Sequence, residues 1–420
     1  MNILLNLTIF LYFFLPFSFA LNPLTGFDVS FVRIFILIIT LSYLTFCLYK
    51  KSLYIPKGFI ISLFSAFILW TIFSLFFTPV PTWTLRKIIF LLSMSPLIFI
   101  LPVLFKDVPN SKEKLLSATI IGATLISIVG LLQFILQFII PLNTLLNFWL
   151  QLSPFFLGGT FSESVIAHNS WLVNIGGHTI MRSIAFFPDP HIFSFYLGLL
   201  IPLSLGLFLK TKKQIWLISF FILILTDLLT FSRGGYIGLF GGLLIGLILL
   251  WPSIQTRFKH FIFLFLISFI FLLLIPQNPI TSRFISSFDT TDTSNRHRLE
   301  LWTEAKQEIQ HRPFIGTGLG AYPIVINPQA TYRTPIYVHN IFLDITVELG
   351  IIGLILFSLT FLSLILILYK NKDDYISLFA IISIVIFFTH ALFDTPIFSV
   401  HVFPILLLIL SIGIYNENKK

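Results

Sequence analysis

Charge is what this sequence has least of. Asp, Glu, Lys and Arg make up 10% of the 420 residues, against 57% hydrophobic. A soluble domain carries about 25% charged residues. That scarcity excludes a soluble globular chain and leaves a polytopic membrane protein. Cysteine is almost missing: Cys47 stands alone in an apolar run, which excludes an intramolecular disulfide and a thiolate metal site. Its side chain reads as a small packed hydrophobe. No His, Asp and Glu set has ligand spacing, so no metal and no cofactor is expected. Basic runs interleaved with aromatics are absent as well. The net charge of +9 therefore reports membrane topology, not a nucleic-acid partner.

Long apolar runs are what the chain has in abundance. A span needs roughly 20 apolar residues. Twelve segments qualify: 3–20, 29–49, 58–77, 86–105, 115–140, 191–209, 214–231, 234–251, 259–276, 340–369, 375–393 and 397–415. The first ends on Ser18-Phe19-Ala20, as a signal peptide does. Its head, Met1-Asn2, carries no cation, so it reads as a transmembrane helix. The expectation is an all-α polytopic membrane protein, one integral domain over 1–420 with about twelve transmembrane helices. Two long connections, 141–190 and 277–339, become external loops.

Placing the N-terminus inside puts the short Lys-rich loops around 50–57, 106–114, 210–213 and 370–372 on the cytoplasmic side, as the positive-inside rule requires. Both termini are then cytoplasmic, and the chain lies in the cytoplasmic (inner) membrane of a bacterium. Of the 26 cations, fifteen fall inside and eleven outside. The inner set is Lys with the sole exception of Arg257; the outer set is Arg except for Lys87 and Lys306. A topology signal works with either residue. A phosphate site favours Arg, whose fork holds two oxygens and cannot lose its charge. The outer face is therefore expected to handle an anion. The competing explanation is a composition that defaults to Lys and needs a reason for each Arg.

Three arginines stand out on that face. Arg233 lies in Thr230-Phe-Ser-Arg-Gly-Gly235, a break between two spans, where Gly234 and Gly235 are expected to let the backbone turn and approach a ligand; the plainer alternative is a snorkelling Arg. Arg182 precedes Phe186-Phe-Pro-Asp-Pro-His191, where Asp189 is placed to cap a helix starting near His191. Segment 294–311 reads as an amphipathic helix with an apolar stripe of Leu301, Trp302, Ala305 and Ile309. Arg298, four residues before Trp302, shares that stripe, whereas Arg296 falls on the wet face. Gly316-Thr-Gly-Leu-Gly320 lacks the Lys of a nucleotide loop and reads as a flexible turn back to the membrane. His339 stands at the mouth of a span, where an imidazole titrating near 6.5 can serve as a base. Asn340, His390 and Asp394 are candidates for lining the same cavity, and His390 with Asp394 equally reads as a buried polar pair. Lone membrane-edge histidines such as His168, His178, His260, His297, His311 and His401 read as structural, as do Asp189 and His191.

His339-Asn340, nine residues, Gly350, two residues and Gly353 resembles the H-[N/S/Q]-x9-G-x2-G motif of the O-antigen ligase and O-antigen polymerase superfamily. Other landmarks follow in that superfamily's order over about 180–355: Arg182 before a Pro-x-Pro helix start, Ser-Arg-Gly at Arg233, R-x3-W at Arg298 and Trp302, and P-x2-G-x-G at Pro313, Gly316 and Gly318. The segment FFPDPH departs from relatives that carry Asn after the second Pro. The resemblance implies a C-type glycosyltransferase, metal-independent and inverting. Its donor would be an undecaprenyl-pyrophosphate-linked glycan. Its acceptor would be a lipid A core, as for a ligase, or a lipid-linked glycan, as for a polymerase. It further implies that His339 is the base and that Arg233 and Arg298 bind pyrophosphate, assisted by Arg182. The other class that fits an intramembrane Arg site is a flippase or secondary transporter. An evident internal repeat is missing, and acidic residues are scarce in the spans, which count against it.

Overall fold

The computed structural model describes residues 1–24, 27–250, 281, 285–286, 293–332, 334 and 336–419. The expected ninth span at 259–276, most of 277–292, and Arg257, Arg283, Lys259, His260 and Arg333 lie outside them. The described helices are α1 (Asn2–Phe14), α2 (Phe31–Lys50), α3 (Phe59–Phe73), α4 (Pro81–Met94), α5 (Pro96–Asp107), α6 (Ser111–Leu136), α7 (Leu142–Leu157), α8 (Gly159–Ala167), α9 (Pro190–Thr211), α10 (Gln214–Leu229), α11 (Arg233–Leu250), α12 (Thr293–His311), α13 (Tyr322–Ile326), α14 (Ile341–Lys370), α15 (Tyr375–His390) and α16 (Val402–Glu417). Among the described residues, six helical stretches are long and apolar enough to cross a membrane: α2, α3 with its extension to Phe76, α4 running into α5, α6, α9 and α14. Shorter apolar helices, α1, α10, α11, α15 and α16, occupy five more of the expected positions. Each expected span outside 259–276 thus falls on an apolar helix.

The span expected at 86–105 is two helices, parted at Ser95, because Pro96 has no N–H to continue the ladder. The 141–190 connection is not bare loop. It holds α7, α8 and an antiparallel hairpin, Leu172–Ile175 with His178–Met181. Leu145, Trp149, Trp171, Met181 and Ile184 give it a core of its own. Two glutamines tie it down, one in α6 and one at its C-cap: Gln137 Oε1 accepts from Met181 N at 2.7 Å, and Gln133 Oε1 accepts from Ala185 N at 2.9 Å.

α9, α15 and α16 are buried along nearly their whole length, whereas α2 and α3 leave Leu37, Leu41, Leu48 and Leu69 exposed on the perimeter, as lipid-facing helices do. α11 packs against α15 through a glycine row. A Cβ on Gly234 would stand 2.5 Å from His390 Cδ2, and one on Gly238 2.9 Å from the Ile386 carbonyl. This corrects the expected role of the Gly234-Gly235 pair. Both lie inside α11, where they admit His390 and Ser194 and bring helix axes together. The turn itself is made by Phe231, at φ 49°.

α14 is interrupted at Gly350, which adopts φ 67° and ψ −175°. The break frees main-chain groups that would be costly to leave unpaired in a membrane. All find partners. Thr317 N donates to Val347 O at 2.9 Å, Gly318 N to Glu348 O at 2.8 Å, and Trp70 Nε1 to Leu349 O at 2.8 Å. Ile351 N donates to Pro313 O at 2.8 Å. The Gly316–Gly320 stretch is therefore a fixed main-chain dock against α14 and not the flexible turn expected. Gly316 is at φ 72°, and a Cβ there would stand 2.5 Å from the Glu348 carbonyl carbon.

At the far end of α14 a charged cluster stitches the bundle. Lys112 pairs with Asp374 at 2.8 Å, and Lys210 bridges Glu113 at 2.6 Å and Asp374 at 3.0 Å. These contacts join α6, α9 and the start of α15 beside a cavity of about 410 Å³.

Candidate active site

His339 sits at the N-terminal mouth of α14, where Asn340 caps the helix. Asn340 Oδ1 accepts from Phe342 N at 3.0 Å and Leu343 N at 3.1 Å, satisfying two N–H groups that a helix start leaves over. Its amide also donates to Leu392 O at 3.2 Å. The residue grouped with cavity-lining candidates is thus the cap that fixes where the helix begins.

His339 itself is at φ 55°, left-handed backbone that a non-glycine residue rarely holds. Its Nδ1 lies 3.3 Å from Asp394 Oδ1. An ionised carboxylate only accepts, so Nδ1 carries the proton and Nε2 is the basic nitrogen. Nε2 has no hydrogen-bond partner among the described residues, and 31% of the side chain is exposed. Burial draws the imidazole pKa down, but the hydrogen bond and charge of Asp394 outweigh it, and the net shift is upward. Burial would raise the Asp394 carboxyl; its bond to His339 and the imidazole charge reverse that and hold it well below the usual range. Asp394 in turn is felt by Asp189, whose carboxyl is pushed up to about 6 by burial first and by Asp394 second.

The arginines converge on this end by identifiable routes. α12 docks through Trp302, whose indole N–H donates to Val338 O at 3.0 Å, one residue before His339. Ala305, Tyr322, Val338 and Val347 form the core beneath it. Arg298 is one turn before Trp302, and its charge acts on the His339 imidazole. Arg296 faces away, 74% exposed beside Glu300 at 3.7 Å. Arg296 is thus on the wet face, where its place in the helix puts it.

Arg233 is the first residue of α11 and is buried. Its Nη1 donates to Ser286 O at 3.1 Å, the carbonyl that also accepts from Asn295 of α12 at 2.9 Å. Arg182 is buried more deeply. Its Nε donates to Thr230 O at 2.6 Å and its Nη1 to Ser170 O at 3.1 Å, so it holds the turn that presents Arg233. Asp189 caps α9 as expected, accepting from His191 N and Ile192 N at 2.8 Å each.

His390 and Asp394 do not pair with each other. Asp394 bonds His339, while His390 Nε2 is 3.2 Å from Ser232 Oγ, which also meets His191 Nδ1 at 3.1 Å and accepts from Gly235 N at 3.2 Å. The His390 ring stacks on Phe195 at 3.5 Å. Ser232 thus ties α9, α11 and α15 together.

Three structural features around the site were missed in the sequence. One is Ser232 as a hub. Another is the part-buried Lys87–Glu348 pair, at 3.2 Å. The third is Asp344, whose carboxylate accepts from Val338 N at 3.0 Å and from the Thr395 hydroxyl. Two acids in the apolar run that opens α14 are costly in a span and were the available signal. Among the described residues, no three His, Cys, Asp or Glu side chains gather as a metal-binding group.

Fold and site together define a helical membrane protein that gathers an imidazole–carboxylate pair and arginines at one end of its bundle. Residues 218–358 match the O-antigen ligase family, a stretch that includes Arg233, Arg298, His339 and Gly350. The chain is 31% identical over 234 residues to a ComP-specific O-oligosaccharyltransferase of Acinetobacter baylyi, covering 51% of this chain and 41% of that protein. It is 33% identical over 119 residues to a candidate polysaccharide ligase of Rickettsia conorii, covering 25% of this chain and 29% of that one. The matches span less than half the length of either relative. They place residues 218–358 in the O-antigen ligase superfamily.

Proposed function

We propose that the protein is a glycosyltransferase that moves a glycan from undecaprenyl pyrophosphate to a sugar hydroxyl of an acceptor. The reaction takes place at the periplasmic face of the cytoplasmic membrane, in the manner of an O-antigen ligase or polymerase. The observation that carries this reading is the His339–Asp394 pair, 3.3 Å apart with Nε2 open, at the end of the bundle that also holds Arg233 and Arg298. The names of both relatives, which specify glycan transfer or ligation, support it.

The chemistry then runs in one displacement. Nε2 takes the proton of the acceptor hydroxyl as its oxygen forms a bond to the anomeric carbon. The bond from that carbon to the pyrophosphate oxygen breaks with inversion. Undecaprenyl pyrophosphate leaves with the electron pair, its charge held by Arg233 and Arg298 without a metal. Asp394 steadies the imidazolium until the proton passes to water. Arg182 assists by holding the Arg233 turn. The acceptor is a lipid A core or a second lipid-linked glycan. The Lys-rich short loops expected on the cytoplasmic side support a site that faces the periplasm, where a flipped donor is presented.

The test is purified protein in nanodiscs with an undecaprenyl-pyrophosphate-linked oligosaccharide. His339→Ala should lower transfer by about 10²–10⁴-fold, the range for loss of a general base, and Arg233→Lys should not restore a bidentate clamp. In cells, donor should accumulate at the outer face of the His339→Ala strain. Accumulation at the inner face instead would make the chain a flippase or transporter.

A further inference from the structure

We propose that Asp344 is a positioning residue that sets the distance between His339 and Asp394; this rests on reading His339 as the base. Asp344 is 8% exposed, in the first turn of α14. One of its oxygens accepts from the backbone N–H of Val338, at 3.0 Å, and the other from the hydroxyl of Thr395. Val338 precedes His339, and Thr395 follows Asp394. A single carboxylate therefore clasps the two chain segments that deliver the acid–base pair.

The His339 backbone needs such a clasp. A left-handed residue other than glycine persists only where its surroundings hold it. On its C-terminal side the Asn340 cap does so, together with Ile341 N donating to Ala391 O at 2.9 Å. On its N-terminal side Val338 is held twice, its N–H by Asp344 and its carbonyl by the Trp302 indole. The Asp394 side is closed by the same carboxylate, through Thr395, whose N–H also donates to Asp394 Oδ1 at 2.8 Å.

A different role is open to any acid in a first helical turn, namely complementing the helix dipole. That role needs the charge but not the Thr395 hydroxyl. The two are separated by variants that remove the charge or the hydroxyl one at a time. Thr395→Val keeps every charge and deletes the hydroxyl donor. Asp344→Asn deletes the charge, yet its amide oxygen still accepts from Val338 and its N–H donates to Thr395 Oγ1. Asp344→Ala deletes both.

The readout is the pH dependence of His339 acylation by diethylpyrocarbonate, followed by peptide mass spectrometry on the full-length protein in detergent. Only the neutral imidazole reacts, and the side chain is accessible. The charged groups that face it are Asp394 from the segment before α16, Arg298 from α12 and Asp344 from α14, with the Tyr337 ring beside it. Loosening the Asp394 contact lowers the acylation midpoint. Thr395→Val and Asp344→Ala should both lower it, by up to about one unit, a tenfold change in neutral fraction on the acid side. Asp344→Asn should stay nearer to wild type than either.

An unshifted Thr395→Val midpoint overturns the proposal. So does a shift in Asp344→Asn as large as in Asp344→Ala, which would make charge the cause. Thr395→Val keeps the test open if Asp344→Ala does not fold. The acylation result needs no glycan. Retained transfer in His339→Ala would sink the base assignment and leave the positioning result standing.

Discussion

Replacing Gly350 by Ala tests the break in α14 most directly. At φ 67° and ψ −175° the backbone occupies a region essentially reserved for glycine, and holding an L side chain there costs about 1–3 kcal/mol. The new Cβ would also fall against the Phe314 carbonyl and stand 2.5 Å from Ile315 N. Those are backbone atoms, so the 313–318 segment must lift away. Lifting it releases the bonds Thr317 N to Val347 O, Gly318 N to Glu348 O and Ile351 N to Pro313 O. Each contributes about 1 kcal/mol net. Strain and lost bonds together give about 4–6 kcal/mol, a large part of the ~5–15 kcal/mol that keeps a domain folded. Gly176 provides the control. It sits at φ 58° in the hairpin turn with nothing within 4 Å of its Cβ position, so Gly176→Ala carries only about 1–2 kcal/mol of left-handed strain. Thermal unfolding in a fixed detergent compares the two. Gly350→Ala should melt far below both wild type and Gly176→Ala. Equal melting of the two variants would refute the docking argument.

Two further outcomes follow from the same geometry. Because protonated His339 cannot accept a proton and its pKa is raised, transfer should increase with pH through a midpoint above the ordinary ~6.5. Asp394→Asn removes the carboxylate that raises it, so the limb should move to lower pH while the plateau falls; an unmoved limb would detach the pH profile from this pair. Glu348→Gln leaves the Lys87 ammonium, which lies 4.6 Å from the Phe398 ring centroid on a stem packed against Gly320, without its counter-ion. Breaking such a pair from one side costs about 3–5 kcal/mol, visible as a lowered melting temperature that the double replacement Lys87→Met with Glu348→Leu should largely recover.

How much of this was legible in the residues varies with the range of the interaction. Apolar runs, the Asp189 cap and the face of α12 that carries Arg298 are local patterns, set by period and by nearest neighbours. Asn340 was visible as a neighbour of His339, yet its cap role emerges only once the helix start is known. Asp344 escaped because its partner Thr395 is 51 residues away in sequence. Gly234 and Gly235 were misassigned for a related reason. Between two apolar runs a Gly pair looks like a hinge, and only the arrival of α15 against α11 makes it a packing surface. Gly350 was recognised as part of a motif, but its left-handed backbone answers to the Pro313–Gly318 chain, which no period in α14 reveals.

The lysine cluster at the far end of α14 has a consequence for how this protein can change. Lys112 and Lys210 lie at the helix ends that border the Lys-rich segments expected on the cytoplasmic side, where cations orient a chain during insertion. In the finished bundle the same two ammonium groups are engaged by Glu113 and Asp374. On that expectation each lysine is read twice, first by the insertion machinery and later by its neighbours. A substitution that weakens the topogenic signal at either position also unpicks a tie between helices far apart in sequence. Orientation and cohesion are therefore inherited together, and a lineage of this protein is not free to trade one against the other at these sites.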